Sequence, residues 1–143
     1  MRKLIVLERD ILFALTNQMR DISHYLDLET GDVIPVFSYN REAILTQIKA
    51  EPARFVRIMP QTSRHGREMM NRFVETVKRP DLKARLKAAI KSDRAFSRFR
   101  RVLLNFPDEF KHWQRFRVMF LTEPLKIKLR EQGIELILVP ESE

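Results

Sequence analysis

The sequence predicts an α+β protein: a small antiparallel sheet with a β-hairpin, packed against a helical C-terminal half. Three observations carry this prediction. Apolar residues alternate with period two on both sides of a Glu-Thr-Gly turn at 29–31. From residue 63 onward the apolar period lengthens to that of a helix, punctuated by Pro80 and Pro107. After Gly133 the chain returns to a short apolar run, "IELILV". The 143 residues fit one domain over 1–143. Within it, 1–60 is hairpin- and sheet-rich, 61–132 is helical and 134–139 is a closing strand.

The elements follow in order. "RKLIVL" at 2–7 reads as a strand, and "ERDILFALTNQMR" at 8–20 as a helix with Ile11, Leu12, Ala14, Leu15 and Met19 as its apolar positions. Leu26, Leu28, Ile34 and Val36 alternate through the hairpin at 24–37. Gly31 supplies the positive φ that a type I turn with a bulge requires. Pro35 places its strand at an edge, where the missing N–H is harmless. Asn40 is a suitable N-cap for a helix over 41–50, and "RFVRIM" at 54–59 reads as a strand between two prolines. Thr62 or Ser63 caps the next helix, on which Gly66, Met69, Met70, Phe73, Val74 and Val77 share one arc. Pro80 opens a helix with the stripe Leu82, Leu86, Ala89 and Ile90. Ser92 or Asp93 caps another that runs to Asn105. Pro107 opens the last long helix, with Asp108 and Glu109 at its positive end. Pro124 is expected to break or kink that helix, leaving a short one that ends at Gly133. The small sheet is expected to combine the N-terminal strands with the closing strand.

Composition narrows the class. Apolar residues make up 44% of the chain, enough for a core. With no cysteine there is no disulfide framework, thiolate metal site or cysteine nucleophile. No run of about 20 apolar residues and no signal-peptide pattern occurs. A soluble, cytoplasmic protein without membrane contact is expected. Net charge is +8, from 27 basic and 19 acidic residues. Residues 72–130 hold 17 Lys/Arg against 6 Asp/Glu, and the rest of the chain holds 10 against 13. A surplus confined to one segment points to an acidic macromolecular partner.

The densest part of that segment is "RAFSRFRRVLLNFPDEFKHWQRFR" at 94–117. On a helical wheel Phe96, Phe99, Val102, Leu103 and Phe106 gather on one side, while Arg94, Arg98 and Arg101 gather opposite. The string alternates, but the helix segregates. The phenylalanines are therefore expected to be core, not a stacking platform, which needs rings and cations on one exposed face. Lys83, Lys87 and Lys91 form a second row at i, i+4, i+8 on the preceding helix. If the two helices lie side by side, the rows merge into one patch for DNA or RNA backbone, contacted as phosphates without base reading. A solvated helix face is the plainer reading. Arg117 is a misfit, a charge within the apolar arc of Phe110, Trp113, Phe116, Phe120 and Leu121. It can snorkel, stack on Trp113, pair with a carboxylate, or form an anion site beside Trp113. A protein partner, met by the hairpin edge or by Met69 and Met70, is the alternative to nucleic acid.

Signals for catalysis are weak. Asp27, Glu29 and Asp32 crowd the hairpin tip, but no EF-hand spacing follows, and acidic turn tips are usually solvated. His24, His65 and His112 show no HExxH spacing, and no GxGxxG, GxxxxGK[ST] or GxSxG occurs. Ser63 and His65 are neighbours without a marked third group. A non-enzymatic protein with no cofactor and no metal is expected.

The motifs "YLDLETGDVI" at 25–34, "RIMPQTSRHGREMMNRFVE" at 57–75, "AFSRFRRVL" at 95–103, "FKHWQRFR" at 110–117 and "LREQGIE" at 129–135 occur in that order. Together they resemble an uncharacterised bacterial protein family of the UPF series, family 0158, across nearly the whole chain. The resemblance implies a small cytoplasmic α+β domain and no established activity or catalytic residue. Its matching positions are Tyr25, Asp27, Gly31, Phe96, Phe99, Trp113 and Phe116. The basic surplus of 72–130 and the interruption at Pro124 depart from what the family leads one to expect.

Overall fold

The computed structural model describes residues 1–140. In chain order the elements are β1 (Arg2–Leu7), α1 (Glu8–Leu15), β2 (Ser23–Asp27), β3 (Val33–Val36), α2 (Arg41–Ala50), a 3-10 turn (Pro52–Arg54), β4 (Phe55–Ile58), α3 (Ser63–Thr76), α4 (Pro80–Ile90), α5 (Ala95–Leu103), α6 (Pro107–Glu131) and β5 (Ile134–Val139). The class is α+β. The chain forms two compact units, one of residues 1–60 with 121 onward, the other of residues 61–120.

The first unit contains two small sheets. One is antiparallel, in the order β3-β2-β4. The hairpin is as expected: Tyr25 stands opposite Ile34, and Pro35 lies on the edge strand β3 opposite His24. Gly31 adopts φ +82° and accepts the turn, its N–H donating to the Asp27 carbonyl at 2.8 Å. It is also pressed against β1, since a Cβ there would collide with the carbonyl oxygen of Ile5. The other sheet corrects the sequence reading. β5 does not join the hairpin sheet; it pairs parallel to β1, Arg2 opposite Ile134 through Leu7 opposite Val139. Gly133, at φ +75°, ends α6, and its carbonyl accepts from the Arg2 N–H at 3.0 Å, which starts the ladder. Period-two patterning marks a buried face but not a partner, so the strand was legible and its pairing was not. Leu4, Val6, Ile134 and Leu136 form the buried side of this pair.

Other boundaries also shift. α1 stops at Leu15, because Asn17 folds a turn, accepting from Met19 N–H and donating to the Met19 and Ile22 carbonyls. Asn40 does not cap α2 with its side chain. It reaches back, accepting from Phe37 N–H at 2.6 Å and donating to the Pro35 carbonyl. Neither Ser92 nor Asp93 caps α5; Arg94 occupies that position without a side-chain bond. Thr62 does cap α3, its Oγ1 accepting from His65 N–H at 3.1 Å.

α6 corrects the largest expectation. Pro124 lies inside one helix that continues to Glu131. A proline removes a single N–H donor and crowds one carbonyl. The apolar stripe Leu121, Leu125 and Leu129, spaced by four and buried throughout, holds the last turns in helical form.

The second unit is helical around an aromatic centre. Phe73 is fully buried and meets Trp113 edge-on at 5.1 Å, Phe116 at 5.5 Å and Phe99 at 6.2 Å between ring centroids. Such pairs contribute about 0.5–1.5 kcal/mol each beyond area burial. Met69 and Met70 belong to this core, so they offer no surface to a partner chain, contrary to the sequence reading.

Candidate functional site

Charge separates cleanly by unit. Residues 61–120 carry 16 Lys/Arg against 6 Asp/Glu, and the remainder carries 11 against 13. The candidate surface is therefore on α4 and α5. These helices pack together, and between them runs a groove lined by Arg85, Ser92, Arg98, Arg101 and Asn105 over an apolar floor of Ala88, Ala89 and Val102.

The two predicted rows are placed differently. Arg98 and Arg101 line the groove, whereas Lys83, Lys87 and Lys91 do not. The reason is angular. At 100° per residue, Lys83, Lys87 and Lys91 span one flank of α4, and Arg85, Ala88 and Ser92 lie on the other, toward α5. The groove brings the arginine row together with Arg85 of α4, not with the lysine row. The sequence reasoning passed over Arg85 because it belongs to no row. Its signal was its position, two residues out of phase with the lysines. Arg94, Lys87 and Lys91 are exposed, and Lys83 is half-buried.

Carboxylates compensate little of this charge. Arg98 approaches Asp93 at 3.8 Å, with both side chains well exposed, a pairing of small energetic weight. Among the described residues, Lys83, Lys87, Lys91, Arg94 and Arg101 have no carboxylate within ion-pair distance. Arginines of this unit, Arg85 of the groove included, also sit over half-exposed rings. Arg79 and Arg85 both lie over Phe106, at 4.7 and 5.9 Å, and Arg100 lies over Phe110 at 5.8 Å. The segregation of rings from cations thus holds in the core but not at the rim. Phe99 and Trp113 are buried, as expected, while Phe96 is 39% exposed.

Arg117 resolves its options in an unexpected way. Its guanidinium lies 5.6 Å from the Phe96 centroid, on the neighbouring helix, a ring that was not among the sequence-derived options, where the only stacking partner named was Trp113 one turn away. Its Nε is enclosed by protein and has no hydrogen-bond partner. Burial, and then the charge of Arg100, hold its pKa below the ordinary arginine value.

In the first unit the three hairpin-tip acids differ: Glu29 and Asp32 are exposed, as expected, whereas Asp27 is closed to water. Asp27 is 3% exposed. Its Oδ1 accepts from Arg54 Nε at 3.0 Å and Glu29 N–H at 2.9 Å, and its Oδ2 accepts from Arg54 Nη2 at 2.8 Å. The Arg54 fork also reaches Glu29 at 3.3 Å and Glu51 at 3.2 Å. This bonding to Arg54 pulls the Asp27 pKa down to about 2, against the opposing effect of burial, and the same bond raises that of Arg54. Here the carboxylates serve an internal arginine. Among the described residues no group of three or more His, Asp or Glu is arranged to hold a metal ion.

Sequence comparison supplies the family. The model of an uncharacterised protein family, UPF0158, matches residues 1–138. The chain belongs to the UPF0158 family. A UPF0158 protein of Pseudomonas aeruginosa is 28% identical over 118 residues, covering 82% of this chain and 76% of that one. No solved structure matches the chain. UPF0158 carries no described activity in its name, and no helix among the described residues of this member is long and apolar enough to cross a membrane.

Proposed function

We propose that the protein is a non-enzymatic binding module whose α4–α5 face engages the phosphate backbone of DNA or RNA without reading sequence. The observation that carries this is the groove itself. Three arginines, Arg85, Arg98 and Arg101, share one channel with Ser92 and Asn105, on a unit with a surplus of ten positive charges. Arginine, serine and asparagine are the side chains that ordinarily bond phosphate oxygens. The flanking Lys83, Lys87, Lys91 and Arg94 add long-range attraction, not fixed contacts. A cytoplasmic location follows from such a partner.

Fluorescence anisotropy of labelled random-sequence oligonucleotides tests the proposal. Three neutralised phosphates on a duplex give a salt slope of about −2.7, so affinity should fall about 40-fold between 50 and 200 mM salt. Arg85→Gln, Arg98→Gln and Arg101→Gln combined should flatten that slope. The Lys83, Lys87 and Lys91 triple glutamine variant should weaken binding less. Absence of binding at low salt, or a flat response in the unmodified protein, ends the reading. Capture of a protein that survives nuclease and high salt would favour a protein partner in its place.

A further inference from the structure

The second unit holds a second cationic feature, separate from the groove, where α5 meets α6. A buried guanidinium is ordinarily surrounded by carboxylates or by a full set of acceptors. Arg54 in this same chain shows that arrangement, with three carboxylates around one fork. Arg117, half-buried, shows the opposite. Its Nε is enclosed without an acceptor, and among the described residues no carboxylate lies within 4.0 Å of it. Its guanidinium lies over the Phe96 ring. Arg100, whose charge opposes that of Arg117, is likewise laid over a ring, that of Phe110.

A half-buried guanidinium and an exposed one, both on ring faces and without a paired carboxylate among the described residues, are a poor way to border a helix seam. Replacing buried charge by an apolar side chain of similar volume is commonly neutral or stabilising. Cation–π contact offsets only part of the cost. The same arrangement suits an anion well. A planar fork of N–H donors matches an oxyanion, a second positive charge adds attraction, and the buried Trp113 with the partly exposed Phe96 and Phe110 leaves the site open to solvent on one side. We propose that Arg117 and Arg100, bordered by Phe96, Phe110 and Trp113, bind a small oxyanion, a phosphate monoester or a carboxylate. Arg117 is the principal contact and Arg100 the electrostatic support. The site is independent of the α4–α5 groove and shares no residue with it.

Trp113 is the single tryptophan of the chain and lies 6.4 Å from Phe96 between ring centroids, so its fluorescence reports directly on this seam. The full chain is titrated with sodium phosphate and, separately, with sodium acetate, at ionic strength held constant with sodium chloride. A saturable change in Trp113 emission is expected, and which of the two anions saturates first assigns phosphate or carboxylate. Arg117→Met should weaken the apparent affinity roughly tenfold to a hundredfold, the loss of one charge-assisted contact. It should also melt no lower than the unmodified protein in anion-free buffer. Arg117→Lys, which keeps the charge but not the fork, should also lose affinity, and it stands in if the methionine variant fails to fold. Arg98→Gln should leave the titration unchanged, which separates this site from the groove. Absence of saturation with either anion, the same response from chloride alone, or an unaltered titration in both Arg117 variants overturns the proposal.

Discussion

Asp27 holds the hairpin turn together through charge. Its carboxylate receives two nitrogens of Arg54 and the N–H of Glu29, in a site almost closed to water. With its pKa at about 2 against about 3.9 in an unfolded chain, Asp27 favours folding whenever it is ionised. That contribution is complete above about pH 4 and is lost as pH falls from there toward 2. His24 adds a second acid-sensitive term. It is buried, its Nδ1 has no partner, and burial lowers its pKa. The neutral form is therefore the folded form, and stability declines as pH drops below about 6.5. Urea unfolding at stepped pH should show both declines in the unmodified protein. Asp27→Asn should lose about 3 kcal/mol at pH 7, where one partner of a buried pair is removed, and should lack the decline below pH 4. An Asp27→Asn protein with unchanged stability would mean the Arg54 pair is energetically idle. At this scale legibility followed chemical range. Gly31, Pro35 and Thr62 are readable because their roles are set by their own backbone or by a side chain acting within one turn. The Asp27–Arg54 pair spans 27 residues, and turn chemistry alone predicted only a solvated acid there.

Elements were readable as types more than as extents. The strands and helices expected from periodicity exist, except that the short helix expected after Pro124 is the end of α6, which runs through the proline. The burial of Leu121, Leu125 and Leu129 outweighs a cost of about 3 kcal/mol for proline in a helix interior. That excess remains recoverable. Pro124→Ala restores one N–H to the helix and relieves the ring clash, so it should raise stability by about 2 kcal/mol, less the entropy proline removes from the unfolded chain. Chemical denaturation measures it directly, and a destabilised variant would show that the proline fits its site without strain. β5 teaches the complementary lesson. Its apolar pattern was sufficient to name a strand, yet the choice between joining the hairpin sheet and pairing with β1 depends on where α6 ends. Continuity of α6 to Glu131, followed by the turn at Gly133, sets where β5 begins and so the register of Arg2 with Ile134.

For the whole molecule the decisive property is how charge is distributed between the two units. The surplus at 72–130 was visible in the sequence, but the unit that carries it runs from 61 to 120, and which cations share a groove was not visible, because Arg85 belongs to neither row. Sixteen basic residues against six acidic ones within 60 positions repel one another, and this self-repulsion acts against the compact state. Screening should relieve it. The Debye length falls from about 30 Å at 10 mM salt to about 8 Å at 150 mM, a change that reaches most cation pairs on a surface of this size. Amide hydrogen exchange, followed by peptide at these two salt concentrations, should therefore show increased protection across 61–120. Peptides from 1–60 carry nearly balanced charge and should change little. The same repulsion is what a polyanion would cancel, so an oligonucleotide at low salt should reproduce the gain in protection, strongest in α4 and α5 around Arg85, Arg98 and Arg101. Equal salt responses in the two units would show that the surplus charge exerts no net strain, and it would remove the energetic reason for a polyanion to prefer this surface.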